Sequence, residues 1–107
     1  LIREEHRMAL AGERAEHSVF TNLFTGGLAR SIPNRLIDAL GPVRAEAPAF
    51  PHAAGALARL RTVDAAGFGL LSAGQAARLG RPLSAKTLTE RLAAEALALL
   101  GRTGEGW

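Results

Sequence analysis

A chain of 107 residues with 48% hydrophobic and 21% charged residues has the make-up of one globular domain, which excludes a disordered acidic tail and a collagen-like rod. Cysteine and tyrosine are both absent, which removes disulfides, thiolate metal sites and cysteine nucleophiles and leaves few rings for stacking nucleobases. The net charge of +3 lies in residues 28–61 (+3) and 72–107 (+2), against −1 in residues 1–27 and −1 in residues 62–71, so an acidic partner is permitted but not required.

Residues 1 to about 24 read as one long helix. The segment has no proline, and Gly26-Gly27 supplies a helix stop. Ile2, Leu10, Phe20 and Phe24 would fall on one stripe of it. Gly12 weakens the middle by about 1 kcal/mol relative to alanine. Ser31 is placed to cap a second helix, with Pro33 tolerated in its first turn and Gly41-Pro42 at its end.

The stretch 41–51 carries Pro42, Pro48 and Pro51 and reads as an extended, mobile connector. A helix over about 52–61 follows. Residues 62–71 are ambiguous: Asp64 can cap a helix, yet Gly67 and Gly69 disfavour a regular one. Phe68, Leu70 and Leu71 are expected to fill core space.

Ser72 and Gln75 have the spacing of a capping box for a helix over 73–79, stopped by Gly80. Ser84 is expected to cap a last helix over about 85–100, ended by Gly101. Leu88, Leu92 and Leu99 share one face and are expected to meet the core. The glycine-containing tail to Trp107 is expected to fray.

Alanine and leucine dominate and β-branched residues are few, so the expected fold is all-α. It is read as a single small irregular helical domain, 1–107, of four or five helices. The C-terminal helix pair, 73–100, has the outline of a loose helix-turn-helix.

That outline rests on Ala76, where two helices could cross closely, on Gly80 for a turn with positive φ, and on the Ser84 cap. Lys86 and Thr87 would then face a DNA groove, while Arg78, Arg81 and Arg91 would hold phosphates. The bland alternative is two ordinary helices joined by a Gly–Pro turn, and that alternative is preferred.

His6, Glu13 and His17 would lie within about 40° of one another on a continuous helix, which makes them candidate metal ligands. His52 could complete such a site. A solvated or hydrogen-bonded stripe is the preferred account of them.

The sequence carries no Gly-x-Ser-x-Gly elbow, and Thr25-Gly26-Gly27 lacks the lysine and spacing of a phosphate loop. No cofactor is expected, and an enzyme ranks third among the functional classes. On the outer face of the last helix, Ala93 and Leu97 are expected to meet a partner.

The resulting expectation is a protein–protein interaction or assembly module, self-associating, with another chain or a second copy as partner. The alternative is a DNA-binding regulatory module using helices 73–79 and 85–100. No apolar run reaches the roughly 18 residues of a membrane span, so no membrane partner is expected. With no charged-then-apolar leader at its start, the chain is expected to be cytoplasmic.

Overall fold

The computed structural model describes residues 2–105, so the expectation for Trp107 lies outside the described residues. The elements run α1 (Glu4–Ala11), a 3₁₀ turn (Glu13–His17), β1 (Val19–Thr21), β2 (Ala29–Ser31), α2 (Arg35–Leu40), α3 (His52–Val63), α4 (Ala65–Phe68), a second 3₁₀ turn (Ala77–Leu79) and α5 (Ala85–Glu105).

The all-α expectation is corrected by an antiparallel hairpin. β1 pairs with β2 in the register Val19–Ser31, Phe20–Arg30 and Thr21–Ala29. The long helix expected over residues 1–24 is therefore three separate pieces. Gly12 ends α1 in extended backbone (φ −85°, ψ 164°) with its N–H still bonded to the Ala9 carbonyl. One 3₁₀ turn follows and buries Ala15. The chain then enters Val19-Phe20-Thr21, whose β-branched and aromatic side chains favour a strand.

The hairpin is tied to the chain forty residues later. The Ile32 amide donates to the Leu71 carbonyl at 2.9 Å, Ser31 forms an antiparallel bridge with Ser72, and the Ser31 hydroxyl accepts from the Leu71 amide at 3.1 Å. Ser31 and Ser72 are thus bridge residues, not the helix caps expected of them. The fully buried hydroxyl of Ser31 satisfies backbone that would otherwise be orphaned in the interior.

Asn34 caps α2 instead, its side-chain oxygen accepting from the Ile37 amide. Gly41 stops that helix with φ +81°, and its N–H bonds back to the Ile37 carbonyl. Gly26 also holds φ +81°, and a Cβ built on it would lie 2.8 Å from the Ala49 Cα. Both positions favour glycine for its access to the left-handed region, and Gly26 does so for space as well.

The connector over 41–51 is pinned, not extended. Asn22 donates to the Arg44 carbonyl at 2.7 Å and accepts from the Arg44 amide at 2.9 Å. The Phe50–Pro51 peptide bond is cis.

Two clusters make up the interior. Leu23, Phe24, Leu36 and Ile37 form one, flanked by Val19, Leu57, Phe68 and Leu70. Ala15, Ile32 and Leu71 form the other, flanked by Leu10 and Ala66. Phe20, which the continuous helix would have brought inward, is 54% exposed.

The C-terminal third departs furthest from expectation. The helix expected over 73–79 is a single 3₁₀ turn, and Gly80 has φ −61°. The positive-φ turn that a helix-turn-helix needs is absent there, so that outline is withdrawn. Ser84 does cap α5, accepting from the Thr87 amide at 3.2 Å.

Leu88, Leu92 and Leu99 do not meet the core. They are exposed by 41%, 58% and 59%, and among the described residues no other element packs substantially against α5. The molecule is consequently elongated, 55 × 29 × 24 Å, with a radius of gyration of 17.8 Å.

Candidate functional site

A cleft of about 610 Å³ lies between the first 3₁₀ turn, the β2–α2 junction and α4. Glu13, Arg14, Asn34, Arg35, Asp38 and Asp64 supply its polar lining, with Ile32 and Leu71 among its apolar walls.

Each element delivers its residue for a local reason. The break at Gly12 turns Arg14 towards α2, where its guanidinium meets the Asp38 carboxylate at 2.7 Å and donates to the Pro33 carbonyl at 3.3 Å. Both partners of this ion pair are about half exposed, so it orients the two side chains more than it stabilises the fold.

Asn34 is buried and is the most fully employed side chain in the cleft. Its oxygen caps α2, and its amide nitrogen donates to the carbonyls of Ala66 at 2.9 Å and Gly69 at 2.8 Å. One residue thereby fixes the start of α2 against both ends of α4. Asp64 begins that short helix by accepting from the Gly67 amide at 2.8 Å. Arg35 lies over the Phe68 ring at 5.3 Å from its centroid.

Asn34, Asp64 and the Arg14–Asp38 pair are thus engaged in positioning α2 and α4. Buried side-chain nitrogen and oxygen atoms all have hydrogen-bond partners among the described residues. Sequence reading passed over Asn34 because Ser31, three residues earlier, offers an equally good cap. The available signal was Asn directly after Pro33 and ahead of Leu36-Ile37. For Asp64 the sequence signal was present, and the structure uses it for a single helical turn.

The metal candidates are not brought together. His6 is on α1 and donates from Nε2 to the Ser72 carbonyl at 2.8 Å. Glu13 and His17 are exposed on the 3₁₀ turn beyond the Gly12 break, so the shared helical face does not exist. His52 opens α3 and is exposed. Among the described residues no group of three His, Cys, Asp or Glu side chains is placed to hold a metal.

The five residues singled out for nucleic acid are dispersed. Arg78 pairs with Glu16 at 2.7 Å, and Arg81 donates to the Gly80 carbonyl at 3.4 Å. Thr87 accepts from the Ser84 hydroxyl at 2.9 Å, and Arg91 pairs with Glu95 at 3.5 Å along α5. Lys86 is exposed in the first turn of α5. Ala93 and Leu97, singled out for a protein partner, are exposed on the same helix. No helix among the described residues is long and apolar enough to cross a membrane.

Among curated proteins the chain is 40% identical over 100 residues to a nitronate monooxygenase of Paraburkholderia phytofirmans, a match that takes in 88% of this chain and 27% of that protein. Among solved structures it is similar to the nitroalkane oxidase of Streptomyces ansochromogenes, with a TM-score of 0.76 at 36% identity over 92% of this chain and 30% of that one. No family model matches.

The chain therefore spans between a quarter and a third of the relatives it resembles. Both relatives are named as enzymes. That overturns the expectation of a self-associating assembly module and the alternative of a DNA-binding regulator.

Proposed function

We propose that this chain is a segment of an enzyme that oxidises nitronates or nitroalkanes. A nitronate is the conjugate base of a nitroalkane, so the two relatives are named for closely related substrate chemistry. The observation that carries the reading is their agreement: a sequence match at 40% identity and a structural match at TM-score 0.76, both over most of this chain, point to one substrate class.

The uncovered apolar side of α5 supports the same reading. Leu88 and Leu92, one turn apart on the same side of that helix, are exposed, and exposed apolar surface of this kind marks a packing surface more often than a finished exterior. The segment's own contribution is to shape the cleft between α2 and α4 through Asn34, Asp64 and the Arg14–Asp38 pair. The reacting centre is assigned to the enzyme as a whole.

A segment exchange tests this. The matched 100 residues of the P. phytofirmans enzyme are replaced by those of this chain, and nitronate consumption and oxygen uptake are followed. The hybrid is expected to fold and to turn over a simple alkyl nitronate. A hybrid with the circular dichroism and melting behaviour of the parent but no turnover would overturn the reading.

A further inference from the structure

We propose that the stripe of α5 carrying Leu88, Leu92 and Ala96 is seated, in the working protein, on the body of the enzyme of which this chain is a segment. The inference rests on the reading above and adds a surface and its occupant.

Leu88, Leu92 and Ala96 recur at i, i+4 and i+8, so they line one side of the helix. Ala94 lies on the other side, in line with Thr87 and Arg91. All six are exposed. A helix of 21 residues gains most of its stability in a protein from packing an apolar side against something. Among the described residues no other element packs substantially against α5.

Length argues for the occupant. The structural relative extends well beyond the match, which covers 30% of it and leaves 70%. An enzyme of that size has room for an apolar seat along the stripe. The small side chain of Ala96 permits close approach of a neighbouring element there.

The experiment uses introduced thiols, since the chain has no cysteine of its own. Ala96→Cys on the stripe and Ala94→Cys on the opposite side are both conservative changes. Each is made in the 107-residue chain and in the hybrid enzyme, and labelling of the introduced thiol is followed by mass spectrometry.

In the chain by itself the two thiols are expected to react at similar rates. In the hybrid, Ala96→Cys is expected to react about tenfold more slowly or less, while Ala94→Cys is unchanged, because a packed thiol is reached only through local opening.

Equal labelling of the two thiols in the hybrid would overturn the proposal. So would a hybrid that fails to assemble, or concentration-dependent protection of Ala96→Cys in the free chain, which would assign the stripe to a second copy. Protection in a hybrid that lacks nitronate turnover would leave the seat in place and reject only the proposed reaction, so the two failures are distinguishable.

Discussion

At the scale of single residues, the fold depends on a few polar side chains that hold backbone in place. Asn34 is the clearest. Asn34→Ala removes the α2 cap and strands the Ala66 and Gly69 carbonyls, and is expected to cost about 2–4 kcal/mol in urea unfolding. Asn34→Asp keeps the capping oxygen but turns acceptors towards those same carbonyls. It is expected to be at least as destabilising as alanine, and a milder effect would show that the cap alone matters. The two left-handed glycines should separate in the same measurement. Gly41→Ala meets open space and should cost about 1–2 kcal/mol for its φ alone, whereas Gly26→Ala also drives a Cβ into Ala49 and should cost clearly more. The exposed Arg14–Asp38 pair belongs at the other extreme, where Asp38→Asn is expected to shift stability by less than about 1 kcal/mol.

At the scale of elements, what could be read from the sequence was what is decided locally. The Ser84 cap, the Gly41 stop, and helices starting at His52 and Ala85 follow from caps, glycines and spacing within a few residues. The hairpin was not legible. Ala29-Arg30-Ser31 has no strand-forming composition, and it is extended because Val19-Phe20-Thr21 and Leu71-Ser72 lie on either side of it. The helix expected over residues 1–24 failed for the same reason: its helical spacing was genuine, but the pairing partner of residues 19–21 was out of view. The metal candidates fell with it, since His6, Glu13 and His17 shared a face only on a continuous helix. Removing the Ser84 cap with Ser84→Ala should fray the start of α5 by about 1 kcal/mol. Amide exchange should detect this over residues 85–88, with no change in α2 or α3.

At the scale of the whole molecule, the radius of gyration of 17.8 Å exceeds the roughly 13 Å of a compact chain this long. The excess comes from α5. Its amphipathic spacing was legible in the sequence, but the assumption that its apolar side must meet this chain's own core was not justified. A periodic pattern shows that a side is to be covered and leaves open by what. A chain shortened at Ser84 is accordingly expected to keep the unfolding free energy of the remainder within about 0.5 kcal/mol. A larger loss would mean that α5 supports the body more than its placement shows.

The junction of Ser31 and Ile32 with Leu71 has a consequence for how the chain is made. On a ribosome, residues emerge in order, and the part of this segment up to residue 70 includes the hairpin, α2 and most of its apolar side chains. Until Leu71 appears, the Ile32 amide has no partner and the Ser31 hydroxyl has only the adjacent Ile32 carbonyl, and Ile32 lacks Leu71 in its cluster. Closing a contact across forty positions is slow relative to local helix formation. The growing chain therefore holds its helices early and its interior late, and a released product ending before residue 71 should be protease-sensitive where one extending past Ser72 is resistant.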